Sequence, residues 1–145
     1  MARGTPATTA LEKAGVAFTL HEYDYDPDAD SIGLQAARAL GVDPARLLKT
    51  LMARADEATV CVLAPSDREV SLKKLAAAAN AKEAAMLKPA DAERITGYRV
   101  GGISPFGQKK RVAVFIERDA LSHATVFFNG GRRGLQIELP PADLV

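Results

Sequence analysis

Residues 98–111 read YRVGGISPFGQKKR, and from Arg111 the chain runs as RVAVFIE to residue 117. Gly101, Gly102, Ser104, Pro105 and Gly107 are turn-building residues, and Lys109, Lys110 and Arg111 follow directly. Glycine admits positive φ and close backbone approach, proline stiffens the turn, and the cations attract an anion. The stretch reads as a binding loop; the plainer alternative is a long connection with a solvated basic end. Its surroundings decide the fold class. Gly102 and Gly107 have the spacing of a nucleotide-binding P-loop, but Gln108 stands where that motif requires lysine. RVAVFIE then alternates like a strand where the motif opens a helix, so a P-loop kinase or ATPase is excluded.

Working outward, DALSH (119–123) is a helical turn and ATVFF (124–128) a strand. NGGRRG (129–134) makes a tight glycine turn and LQIEL (135–139) returns as a hairpin strand. Pro140 and Pro141 begin a last helical turn. Upstream, KPADAERITG (88–97) is a helix with Pro89 near its start and Gly97 at its end, preceded by a short strand at AAML (84–87). SLKKLAAAANA (71–81) is a helix capped by Ser71, and TVCVLAP (59–65) and LLKTLMAR (47–54) are strands. At the other end, TPATTALEKAG is a helix capped by Thr5, opened by Pro6 and closed by Gly15. AFTLHEY (17–23) is a half-buried strand with Phe18 and Leu20 on one face. An acidic loop at 24–30 leads to a helix capped by Asp30 or Ser31 that stops at Gly41. Helices crowd the first two thirds and strands the end, without strict βαβ alternation. The expected class is α+β: a single domain over residues 1–145, with a mixed, partly closed β-sheet surrounded by helices.

A chain of 145 residues, 48% hydrophobic and 26% charged, suits one globular domain. No apolar run approaches the ~20 residues of a membrane helix, and the first residues lack a signal-peptide core, so a cytoplasmic protein without membrane contact is expected. Cys61 is the single cysteine, which excludes an internal disulfide; His21 and His123 stand too far apart, with no carboxylate motif, to suggest a metal site. The net charge of +1 is far from that of a dedicated duplex binder. Base nevertheless collects at 109–111 and 132–133. If these groups converge they form a small phosphate-facing patch; otherwise they are solvated charges.

Lys49 is the anomaly among the candidate side chains. A lysine amid an apolar strand either snorkels to an edge or projects into a polar cleft, because an unpaired buried ammonium is costly. His21 is a strand histidine without a serine or cysteine placed to use it, and Cys61 is most simply a small buried hydrophobe. Ser104 has no identified base, which leaves it a hydrogen-bonding loop residue.

Taken together, TPA at 5–7, HEYDYD at 21–26, LKTL at 48–51, TGYRVGGISPFGQKKR at 96–111 and NGGRRGLQIEL at 129–139 resemble the YbaK/EbsC family of aminoacyl-tRNA deacylases. The similarity is most specific to the Cys-tRNA(Pro) deacylase branch, whose relatives occur as an editing domain inside bacterial prolyl-tRNA synthetases. The resemblance implies trans-editing of mischarged tRNA without cofactor or metal. The implied partners are the acceptor end of aminoacyl-tRNA and prolyl-tRNA synthetase. Lys49 matches the family's active-site lysine, with Thr50 beside it. Gly101, Gly102, Ser104 and Pro105 match a G-x-x-x-P loop that holds the aminoacyl group, with Gly107 next to it. Tyr23 matches a pocket aromatic, and Asn129, Gly130, Gly131, Arg132 and Gly134 match a turn beside the ribose and amino acid. Lys109, Lys110, Arg111 and Arg133 are the expected phosphate contacts.

Two positions depart from the pattern: Gln136 stands where some Cys-specific members have aspartate, and Asn129 where some have serine. The family's C-terminal helix is also largely absent. These departures bear on which amino acid is removed and leave alanine or serine as alternatives; a non-catalytic acceptor-end binding module is the rival function. In the mechanism the resemblance implies, the substrate's own thiol attacks its carbonyl. The chain supplies backbone N–H groups at Gly101 and Gly102 for the developing oxyanion, and Lys49 steadies that charge or the terminal phosphate.

Overall fold

The computed structural model describes residues 4–25, 32–110 and 112–144. Residues 26–31, including the expected acidic loop beyond Tyr25 and the Asp30 and Ser31 caps, lie outside the described residues, as does Arg111.

Local signals place most elements. Helix α1 (Pro6–Lys13) starts where Thr5 accepts from the Thr8 N–H in a capping box and Pro6 fills the first turn. Helix α2 (Ile32–Leu40) is followed by Gly41 at φ +69°. Helix α3 (Leu72–Ala78) is capped by Ser71, and α4 (Pro89–Thr96) closes on Gly97 at φ +83°, the left-handed stop that glycine favours. Helix α3 ends earlier than its alanine run suggests, because the chain turns at Asn80 with φ +56°. Short 3-10 turns occupy Pro44–Arg46, Arg118–Ser122 and Pro141–Leu144. No helix among the described residues is long and apolar enough to cross a membrane.

The strands form two sheets. Strands β1 (Thr19–Glu22), β6 (Val126–Asn129) and β7 (Leu135–Leu139) make an antiparallel sheet with β7 central. Strands β2 (Leu48–Ala55), β3 (Ala58–Pro65), β4 (Ala84–Met86) and β5 (Ala113–Ile116) make the other, ordered β4-β2-β3-β5. Its β3–β5 pair is parallel and the others are antiparallel. An isolated bridge between Leu47 and Phe127 joins the two sheets where β2 begins, so the expected curled, mixed sheet is realised as two sheets meeting at a seam. Strand β5 pairs only from Ala113, shorter than RVAVFIE suggested.

The β2–β3 hairpin turns on Asp56 and Glu57, with Asp56 at φ +52°. The Asp56 carboxylate accepts from the Lys82 and Glu83 N–H groups, which holds β4 against the hairpin tip. Leu11, Leu48, Leu63, Phe128, Ile137 and Leu139, each at most 1% exposed, centre the main core. Each such side chain contributes about 1.5–3 kcal/mol through burial. The β3-to-β5 crossover contains α3, β4, α4 and the glycine stretch, and it brings the glycine stretch back over the β6–β7 turn. A Cβ on Gly102 would lie 2.9 Å from the Arg132 Cα, so the two loops touch backbone to backbone.

Candidate functional site

Strand β2, the β4–α4 connection, the glycine loop and the β6–β7 pair enclose a cavity of about 320 Å³. Lys49, Thr50, Gly101, Asn129 and Gln136 supply its polar groups; Leu48, Met52, Leu87, Ala92 and Ile103 supply much of an otherwise apolar lining. A mostly apolar hollow with a few convergent polar groups is the usual form of a small-ligand site. Lys49 and Gly101, read from separate parts of the sequence, thus share one hollow.

The polar groups differ in what they leave open. Lys49 is half-buried and makes no ion pair or hydrogen bond among the described residues. Lys49 lines the hollow from strand β2. Among the described residues Thr50 Oγ1 and Gln136 Oε1 are buried without a partner, and Gln136 is only 2% exposed. An unsatisfied buried oxygen costs about 1–3 kcal/mol, a cost that a ligand donor would relieve. Asn129 is instead committed to the scaffold: Nδ2 donates to the Gly101 carbonyl at 3.0 Å and Oδ1 accepts from the Gly131 N–H at 2.7 Å.

The loop's backbone corrects one expectation. The Gly102 N–H already donates to the Arg99 carbonyl at 2.8 Å, closing a turn, so it is not free for an oxyanion. The Val100 N–H donates to Glu93 Oε2 at 2.9 Å. The Gly101 N–H has no partner among the described residues, and Gly101 sits at φ +92°. That donor alone remains of the expected pair.

The other expected site residues stand off the cavity wall. Ser104 is fully buried; its Oγ accepts from the Phe106 N–H at 3.4 Å, and Pro105 continues the same turn away from the hollow. Gly107, at φ +68°, packs on α1, where a Cβ would run into the Pro6 carbonyl. Gly130, Gly131 and Gly134 shape the β6–β7 turn. The Thr5 hydroxyl donates to the Gly130 carbonyl at 2.6 Å, and the Tyr23 N–H donates to the Gly134 carbonyl at 2.9 Å. Tyr23 packs beside Leu47 and Phe127. Burial raises its hydroxyl's pKa, and although the Gln136 side chain nearby partly opposes that shift, the hydroxyl has no partner at hydrogen-bonding geometry.

Among the cations, Arg132 pairs with Glu22 at 3.2 Å, while Arg133 donates from Nε and NH2 to the Val100 carbonyl at 3.0 and 2.8 Å. Lys109 and Lys110 are exposed beyond the C-terminal end of α4, where the Lys109 N–H donates to the Thr96 carbonyl. Neither lysine lines the cavity. His21 is paired with Glu138 at 2.9 Å on the three-stranded sheet. Burial pushes the Cys61 thiol up to about 12, against a weaker opposing contact from Gln108, so it carries almost no thiolate at neutral pH. The apolar wall from Met86, Leu87, Pro89 and Ala92 was not anticipated; the run AAML before Pro89 was its only signal.

The fold and this hollow define an α+β domain with a small-ligand pocket. Residues 26–145 match the family profile described as the aminoacyl-tRNA editing domain. A candidate Cys-tRNA(Pro)/Cys-tRNA(Cys) deacylase, EbsC of Enterococcus faecalis, is 34% identical over 141 residues, covering 94% of this chain and 84% of that protein. A proline–tRNA ligase of Caldicellulosiruptor saccharolyticus is 39% identical over 83 residues, which cover 57% of this chain and 14% of the ligase. The crystal structure of a candidate trans-editing enzyme for prolyl-tRNA synthetase superposes with a TM-score of 0.83 at 21% identity, covering 96% of this chain and 87% of that one. The chain belongs to the aminoacyl-tRNA editing family.

Proposed function

We propose that this chain removes cysteine from mischarged tRNA(Pro), and from tRNA(Cys) as a second substrate, by cleaving the ester between the amino acid and the terminal ribose. The observation that carries the reading is the common cavity of Lys49 and Gly101. The hollow is small, mostly apolar and supplied with a cation and an open backbone donor, which suits a short side chain on an ester whose carbonyl gains negative charge.

The ester needs little activation, so position and charge stabilisation suffice. The cysteinyl thiol gives up its proton and its sulfur attacks the carbonyl carbon. The Gly101 N–H takes the developing oxyanion, a contribution of about 3 kcal/mol for one such donor. The C–O bond to the ribose then breaks, the ribose oxygen takes the proton, and a cyclic thiolactone leaves. Lys49 stabilises the oxyanion or the terminal phosphate. Thr50 Oγ1 and Gln136 Oε1 accept from the substrate's amino group, which relieves their unpaired burial. No protein nucleophile is required: Ser104 is buried, His21 is paired elsewhere and Cys61 is held as a thiol.

A neutral Gln136 facing the hollow favours a second reading, removal of alanine or serine, in which water replaces the thiol. Prolyl-tRNA synthetase, as the source of the mischarged product, is the proposed delivering partner, and the cytoplasm is the corresponding site of action. Purified wild type and Lys49→Ala assayed on Cys-tRNA(Pro), Ala-tRNA(Pro) and Ser-tRNA(Pro) test this. Cysteine release by wild type alone supports the reading; alanine release without cysteine release moves the chain to the second one. Charged tRNA that binds but stays intact at enzyme excess makes it a binding module.

A further inference from the structure

Every polar backbone group adjoining the Gly101 N–H is held by a partner. The Val100 N–H goes to Glu93, the Gly101 carbonyl to Asn129, and the Gly102 N–H to Arg99. The Val100 carbonyl receives two donors from one guanidinium, Arg133 Nε at 3.0 Å and NH2 at 2.8 Å. The guanidinium also lies over the Tyr25 ring, 5.3 Å from its centroid, which limits the directions it can take.

We infer that Arg133 is a positioning residue for the oxyanion donor. The peptide joining Val100 to Gly101 is trans, so its carbonyl and its N–H point in opposite directions. Gripping the carbonyl from outside sets the plane of that peptide and turns the Gly101 N–H away from Arg133. Because Gly101 lines the cavity, the N–H is offered to the bound ester. A charge-assisted pair of bonds to the carbonyl also polarises the peptide and makes its N–H the stronger donor. Glycine at φ +92° would otherwise let this peptide rotate, which explains why it needs an external grip. Arg133 acts through the peptide rather than on a tRNA phosphate. Lysine cannot replace it, because one ammonium lacks the planar fork.

This inference rests on the deacylase reading for its kinetic consequence but not for its structural one, and two measurements separate them. In the first, Arg133→Lys and Arg133→Ala are assayed on Cys-, Ala- and Ser-tRNA(Pro), using whichever ester the wild type cleaves. Both variants are expected to lose about 10- to 100-fold in kcat, less than deletion of an oxyanion donor, with KM unchanged. The slope of log(kcat/KM) against log[salt] stays at its wild-type value. A phosphate contact behaves otherwise: Arg133→Lys keeps kcat, Arg133→Ala raises KM, and the slope becomes shallower by about 0.7–0.9. That pattern overturns the inference. In the second measurement the Gly101 amide proton is followed by NMR in the free protein. Arg133→Lys is expected to move it upfield as the polarising donors are lost; an unmoved resonance with a native remainder of the spectrum overturns the inference even if no ester proves to be a substrate.

Discussion

Asn129 Nδ2 donates to the Gly101 carbonyl at 3.0 Å, and this one contact joins the end of β6 to the glycine loop across the edge of the cavity. The same amide accepts from the Gly131 N–H, so this side chain is one of the ties between the two loops. Asn129→Ala removes both bonds and leaves Gly101 free to turn. A stability loss of about 1–3 kcal/mol is expected in urea unfolding, with a fall in kcat. Asn129→Asp should be worse than Asn129→Ala in kcat, since it sets a carboxylate against the Gly101 carbonyl. Equal kcat in all three proteins would show that the contact does not organise the site.

Lys49 lines the cavity and has no internal partner among the described residues, so activity and stability should part company there. Lys49→Met preserves the stem and removes the ammonium. A loss of about 100-fold in kcat is expected, at an unchanged or raised melting temperature, because the charge stabilises a substrate rather than the fold. Robust deacylation by this variant would take the lysine out of the mechanism.

Gly107 and Gly102 separate a glycine packed on α1 from one packed on the β6–β7 turn. Gly107→Ala places a Cβ against the Pro6 carbonyl and strains a left-handed backbone. The strain alone costs about 1–3 kcal/mol and the clash adds to it, so the melting temperature should drop sharply. Gly102→Ala has no such φ but pushes the 132–133 turn outward, and should lower kcat together with the Arg133 variants. If Gly102→Ala and Arg133→Ala combine additively, the loops are not coupled.

Glu138 gives the fold a dependence on acid. The Thr125 hydroxyl, donating at 2.6 Å, is the main cause holding its carboxyl below the usual range, helped by His21 and Arg46 and opposed by burial. A depressed carboxyl pKa stabilises the folded state above its unfolded value and loses that stability as pH falls through the folded one. Wild type should therefore exceed Glu138→Gln in stability at pH 7, and the two should converge below about pH 4. Parallel curves down to pH 2 would deny the linkage.

Cys61 offers a probe of opening. With its pKa at about 12, roughly one thiol in 10,000 is ionised at pH 8, and the side chain is fully buried. Alkylation by iodoacetamide should proceed only as fast as the molecule unfolds and should accelerate in parallel with denaturant. Labelling at the rate of a free thiol in buffer would contradict the packing.

The elements legible in the sequence were those with local causes. Thr5 and Pro6 start α1 and Gly97 stops α4, because capping and left-handed turning depend on residues a few positions apart. The strands at 48–55 and 58–65 stood out through their apolar runs, but their partition did not. Nothing near Val126 or Ala113 announces that one strand joins the three-stranded sheet and the other pairs in parallel with β3, since both choices depend on partners tens of residues away. The same holds at the site. Lys49 was conspicuous for being charged in an apolar strand, and the loop at 101 for its glycines, whereas Met86, Leu87 and Ala92 looked like ordinary core.

What the amino-acid sequence determined by itself is the stock of groups: a lysine in a strand, a glycine able to take positive φ, an arginine pair in a turn, and the family they jointly mark. The tertiary structure decided which of those groups stay open. Among the described residues the Gly102 N–H closes a turn while the Gly101 N–H faces no partner, and Arg133 grips a carbonyl while Lys49 grips nothing. The reason is physical. A residue type sets what a group can donate or accept, but whether that capacity is already used depends on neighbours that only the folded chain brings within 3 Å.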